Sequence, residues 1–123
     1  MFSFKKSKEI EITQAARETY LIILNKLMQI IGRANLTAQI QVVQALKDLL
    51  SQQKDEEFVK QLNGKDMWGG SGAVWEVHIE DNHSAREFER EMIKLIDLME
   101  KTNVLGKGMK PIRKIFRKNV EEK

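Results

Sequence analysis

The chain contains no cysteine, which excludes a disulfide framework, a thiolate zinc site and a cysteine nucleophile. A single proline leaves no Pro-rich linker. No apolar run approaches the roughly 20 residues needed to cross a bilayer. The opening residues, Met1-Phe-Ser-Phe-Lys-Lys-Ser-Lys-Glu, have no apolar stretch after their lysines. A secretory signal is therefore not expected, and a cytoplasmic location is. Aromatic residues are 7% of the chain, and the basic C-terminal segment holds only Phe116. That segment offers no platform for stacking bases.

What is present suits a helical protein. The 123 residues make one domain, 41% hydrophobic and 32% charged. Such a chain buries about two-thirds of its unfolded surface, enough for a true core. The net charge of +3 is uneven. Residues 1–9 carry Lys5, Lys6 and Lys8 against Glu9, while residues 104–123 carry seven Lys and Arg against Glu121 and Glu122. The body between these basic ends is mildly acidic, so the basic character belongs to the ends and not to the whole chain.

Apolar spacing places the helices. Ile12, Ala16, Thr19, Ile23, Leu27 and Ile30 recur every three or four residues, as on the core face of a helix. Gly32 is the expected stop and Asn35 the expected cap of the next helix. That helix carries Leu36, Ile40, Val43, Leu46 and Leu50. The short turn between the two implies an antiparallel hairpin. Asp55-Glu-Glu57 suits the first turn of a short third helix anchored by Phe58, Val59 and Leu62, with Asn63-Gly64 ending it. Whether Ser51–Lys54 merges the second and third helices is left open by the pattern.

Residues 63–72 hold four of the seven glycines and break every period. In Ala73–Ile79 the residues Trp75, Val77 and Ile79 alternate with Val74, Glu76 and His78, which predicts a short extended strand. Its partner would be the Phe2 and Phe4 region, another chain, or a bed of helices. Ser84-Ala-Arg-Glu87 has the form of a capping box opening a helix to about Lys101, with Phe88, Met92, Leu95, Ile96 and Met99 on its core stripe. Pro111 suits the first turn of a last helix with Ile112, Ile115 and Phe116 on one face. The expected fold is mainly α, a single domain of four or five helices with one Gly-rich loop and a short extended segment. Its expected core includes Ile12, Ala16, Ile23, Leu27, Ile40, Val43, Leu46, Phe88, Met92, Leu95 and Met99.

Four features bear on function. His78 and His83 lie among Glu76, Glu80 and Asp81, a mixture able to bind a metal or move protons. Their spacing lacks the helical His-Glu-x-x-His arrangement, so they also read as plain surface histidines. Gly69-Gly-Ser-Gly72 resembles an anion-cradling loop. No Gly-Lys-Ser/Thr opens a helix after it, and Ser71 lacks the frame of a nucleophile elbow. The loop fits a tight turn or a partner-binding loop, since tryptophans are enriched in interface hot spots. Lys110, Arg113, Lys114, Arg117 and Lys118 could meet nucleic acid or an anionic surface, or simply face water on a docked amphipathic helix. Glu76–Glu91 concentrates acidic residues, which suits a basic partner or a solvated face.

The stretch Leu62-Asn-Gly-Lys-Asp-Met-Trp-Gly-Gly-Ser-Gly-Ala-Val-Trp-Glu-Val-His-Ile-Glu-Asp, followed by Phe-x3-Met-x2-Leu-Ile-x-Leu, resembles small bacterial proteins with a Gly-Gly-x-Gly loop between helices. Some of these look like immunity or antitoxin proteins, which block a toxin by binding it. The resemblance covers about residues 36–102 and carries no catalytic residues. It implies a stoichiometric inhibitor that occludes a partner protein, and the Trp-Gly loop, the acidic segment and the lack of a convincing catalytic set agree with that; no catalytic activity, cofactor or metal is expected. The expected contacts are Trp68, Trp75, Glu76, Glu80, Asp81, Glu87 and Glu91. The alternative is an accessory protein binding nucleic acid or an anionic surface through Lys110, Arg113, Lys114, Arg117 and Lys118. A homodimer is compatible with either.

Overall fold

A computed structural model describes residues 11–69, 72–106 and 108–121. The suggested pairing of Phe2 and Phe4 lies outside these residues. The fold is a helical bundle with α1 (Gln14–Arg33) at its centre. On one side α1 packs on α2 (Thr37–Ser51), α2 carries α3 (Asp55–Leu62), and the single turn α4 (Lys65–Trp68) lies against α3. On the other side it packs on α5 (Asn82–Lys101), and α6 (Met109–Glu121) lies on α5.

The apolar periods explain this order. Tyr20, Leu24, Leu27, Ile30 and Ile31 of α1 are fully buried, as are Val43, Leu46 and Leu50 of α2 and Met92, Leu95, Ile96 and Met99 of α5. Of the expected core, Ala16 and Ile40 are only partly buried but pack against it, and the rest are buried. Thr19 faces solvent and donates its hydroxyl to the Ala15 carbonyl. Tyr20 joins three elements. Its ring meets Phe58 of α3 edge-on at 5.2 Å, and its hydroxyl is 2.8 Å from the Thr102 hydroxyl at the end of α5.

Several helix ends differ from expectation. Gly32 lies inside α1, and the stop is Asn35 in a left-handed conformation with φ +60°. Its N–H donates to Gly32 O and the Leu36 N–H to Ile31 O, the paired bonds of a Schellman closure. Asn35 therefore ends α1 instead of capping α2. The same closure occurs at Gln53, with φ +59°, and at Asn103, with φ +63°. The Gln53 turn separates α2 from α3, which resolves the open question at Ser51–Lys54. At the head of α5 the cap is Asp81, whose carboxylate accepts from the Ser84 N–H at 2.8 Å. Ser84 thus sits within the first turn. A carboxylate three residues upstream offers those N–H groups a charged acceptor, which a hydroxyl does not.

The expected strand is absent among the described residues. Val74–Glu76 forms a 3-10 turn, with the Glu76 N–H donating to Ala73 O and the Val77 N–H to Val74 O. Without a neighbouring strand the backbone satisfies itself locally. The chain is extended again at Val77 (φ −64°, ψ 147°). The predicted alternation fails with the turn, because Val74 is fully buried together with Ala73 and Ile79.

Candidate functional site

The Gly-rich segment and its two tryptophans form a pinned corner. The Trp68 indole N–H donates to Leu62 O at 2.7 Å, and the Trp75 indole N–H donates to Trp68 O at 3.0 Å. Each indole is half-buried. The Gln39 side-chain amide donates to Gly72 O at 2.9 Å, fastening the loop to α2. Gly69 is required by a close approach, since a Cβ there would lie 2.7 Å from Lys65 Cα. Gly72 holds φ +85°, which a larger residue adopts only under strain. The Gly69 N–H donates to Lys65 O at 2.7 Å and so is not turned toward an anion. Gly70 and Ser71 lie outside the described residues.

These bonds give both tryptophans a structural task. Trp68 carries the carbonyl that holds Trp75. Trp75 meets Phe116 of α6 edge-on at 6.2 Å, and Phe116 meets Phe88 of α5 at 6.3 Å. Replacing the Trp68 side chain would remove its indole bond to Leu62 O, and so disturb the frame as well as any surface it presents, while the main-chain carbonyl that holds Trp75 would remain.

The acidic residues do not share one face. Glu76, Glu80 and Asp81 are exposed around the entry to α5. Serine hydrogen bonding holds the Asp81 carboxyl below the usual carboxylate range, chiefly through the Ser84 backbone N–H. Glu87 turns toward α1, where it meets Arg33 at 2.8 Å and Lys26 at 3.7 Å. Glu91 is buried and pairs with Lys94 at 3.0 Å. Glu89 pairs with Arg86 and accepts from the Asn119 amide at 3.2 Å. Along α5 itself Glu87 and Glu91 lie one turn apart on neighbouring positions, and Glu89 is turned about 160° away from Glu87.

The exposed acidic group borders two grooves. One, of about 480 Å³, runs between the end of α1 and the start of α5 and is lined by Ile30, Arg33, Ala34, His78, Ile79, Glu80, Asp81 and Ser84. The other, of about 300 Å³, lies between residues 75–80, the first turns of α5 and the second half of α6. Trp75, Val77, Ile79, Phe88, Ile115 and Phe116 give it apolar walls, and Glu76, Glu80, Arg86, Glu89 and Asn119 give it a polar rim. His78 borders both grooves, whereas His83 borders neither. No group of three or more His, Asp or Glu among the described residues is placed to hold a metal ion.

The basic helix is largely engaged. Arg113 meets Asp97 at 2.8 Å and Glu100 at 2.7 Å, Arg117 meets Asp97 at 3.2 Å, and Lys110 meets Glu100 at 3.5 Å. The Arg113 hydrogen bond holds the Glu100 carboxyl below its ordinary range, and Glu100 in turn raises Arg113. Lys114 and Lys118 are exposed and form no ion pair among the described residues. Lys107 lies outside those residues.

Ile115 corrects the sequence pattern. The pattern sets it on one face with Ile112 and Phe116, yet it is 49% exposed while Phe116 is buried. One residue step turns it about 100° from buried Phe116 and leaves it on the groove's outer wall. Arg86, Glu89, Ile115 and Asn119 join Trp75 only through folding. The sequence offered no short motif linking them; the strong apolar-to-basic contrast of residues 109–121 was the one signal that this helix would dock.

No helix among the described residues is long and apolar enough to cross a membrane. Compared with known proteins, the chain matches no family model, no curated protein and no solved structure.

Proposed function

We propose that the protein acts by binding a partner protein stoichiometrically and occluding it, in the manner of an immunity or antitoxin protein. The observation that carries this reading is the smaller groove: apolar walls on a pinned frame, with exposed Glu76 and Glu80 at the rim. Apolar centres inside polar rims are the usual anatomy of protein interfaces. Exposed carboxylates at the rim would set partner choice and association rate through charge. The contact surface in this reading is narrower than the full acidic segment. It comprises Trp75, Glu76 and Glu80, because Asp81 caps α5, Glu87 and Glu91 are engaged by Arg33 and Lys94 and Trp68 serves the frame.

The test is a tagged pull-down from the native host, washed at low and high salt and read by mass spectrometry. One protein retained in stoichiometric amount at high salt is the expected result. The Glu76→Lys/Glu80→Lys variant should weaken that capture by about tenfold or more while its thermal midpoint stays near that of the parent, since both side chains are exposed. Recovery of nucleic acid alone, lost at high salt, would replace this reading with one based on Lys114 and Lys118.

A further inference from the structure

The surface around Ile115 has an ordered arrangement of charge. On the groove side stand exposed Glu76 and Glu80, and the groove walls are apolar. Ile115 rises at the outer wall of the groove, 49% exposed. Helical geometry places Lys118 one turn from Ile115 and Lys114 one turn from Lys118, on the side of α6 that faces away from α5. Both lysines are exposed and unpaired among the described residues, unlike Lys110, Arg113 and Arg117. The sequence across the surface is therefore acid, apolar groove, apolar knob, base.

Such a surface is complementary to itself. Rotation by 180° about an axis beside Ile115 sets acid against base twice, and brings each knob to the other groove. A two-fold contact requires this property, since residue i of one copy meets residue j of the other and the reverse. A foreign basic peptide would satisfy the glutamates but would leave Lys114 and Lys118 facing like charge. A nucleic acid would satisfy the lysines and be repelled by the glutamates. A second copy satisfies both.

We propose that this surface is a two-fold contact between two copies of the chain. In it, Ile115 of each copy enters the other's groove, and Glu76 and Glu80 face the other copy's Lys114 and Lys118. The contact is centred on one apolar side chain per copy, so the dimer is a weak one that forms with rising concentration. The contact uses the groove read above as the partner site, so a bound partner and a second copy exclude one another there; the test of the dimer needs no partner, and its failure leaves the partner reading standing.

The experiment is sedimentation equilibrium of the full chain from about 10 μM to about 1 mM, with dissociation constants read from the monomer–dimer fit. The wild-type mass should climb from monomer toward dimer and fall back as salt is added. Ile115→Asp should raise the dissociation constant about tenfold or more with an unchanged circular dichroism spectrum and melting temperature. Lys114→Glu/Lys118→Glu and Glu76→Lys/Glu80→Lys should each be monomeric alone and should form a heterodimer when mixed. That rescue is the decisive result, because a mere loss of folding could not produce it. A wild type that stays monomeric throughout overturns the proposal and leaves the groove to a foreign partner. A dimer indifferent to Ile115→Asp, or charge-reversed variants that fail to associate when mixed, overturns it as well.

Discussion

Arg17 is the only buried cation among the described residues, and it is the most heavily committed side chain. Its guanidinium donates to both oxygens of Asp55, at 2.9 and 3.2 Å, and to the carbonyls of Leu50 and Ile12. The Ile12 N–H donates to Asp55 as well, at 2.8 Å. One residue thus closes the start of α1, the end of α2 and the head of α3. Both side chains are only 10% exposed, so removing one strands the other. Arg17→Met should lower the unfolding free energy by about 3–5 kcal/mol, measured by urea titration. The pH dependence follows from the same contact. The Arg17 hydrogen bond, with help from Ile12, holds the Asp55 carboxyl below its ordinary value of 3.8. As pH falls the unfolded chain takes up this proton first, so the contribution is whole above about pH 4 and is lost through the depressed folded value. The melting temperature should drop on that limb, and Arg17→Met should flatten the drop. The sequence marked Asp55 as a helix-start residue but gave no hint of Arg17, since a lone arginine on a helix looks the same whether it faces water or a buried carboxylate.

The element scale is governed by how helices end. α1, α2 and α5 all close through a left-handed residue that is not glycine: Asn35, Gln53 and Asn103. Asparagine tolerates this conformation through its short polar side chain, whereas glutamine has no such compensation. Gln53→Gly should therefore stabilise the protein by about 1 kcal/mol, the αL penalty less the extra chain entropy of glycine, as read from the urea midpoint at constant m. The helices themselves were legible because apolar spacing repeats over many residues. Their ends were not, because several polar residues compete for each cap. Gly32 looked like a stop, yet the α1 ladder runs through it to Arg33. Ser84 looked like a cap, yet Asp81 supplies the stronger acceptor. The strand pattern of Ala73–Ile79 was real as a pattern, but a strand requires a neighbour and none lies beside it among the described residues.

For the whole molecule, α6 is the outermost layer, docked chiefly on α5. Met109 and Phe116 are its buried anchors, and Arg113, Arg117 and Lys110 tie it to Asp97 and Glu100. Phe116 also closes the aromatic contact with Trp75 and Phe88, and so joins the candidate groove to the bundle. Phe116→Ala should cost about 3–5 kcal/mol, the range for emptying a buried aromatic site. It should also shift tryptophan emission to the red as Trp75 meets water. A normal melting curve with unchanged emission would show that α6 docks without this anchor.

The sequence alone determined a mainly α fold, the approximate helices and most of their buried faces. Those follow from local periodicity, which each segment carries within itself. It also showed that charge is segregated between body and ends. What those charges do is set by packing. Distant residues meet through packing, so Glu87 finds Arg33, Arg113 finds Glu100, and Arg17 finds Asp55. An acidic run and a basic helix that looked like two binding faces became, in large part, the fastenings of the bundle. What remained outside those fastenings, Glu76, Glu80, Ile115, Lys114 and Lys118, was selected by geometry that no local pattern encodes.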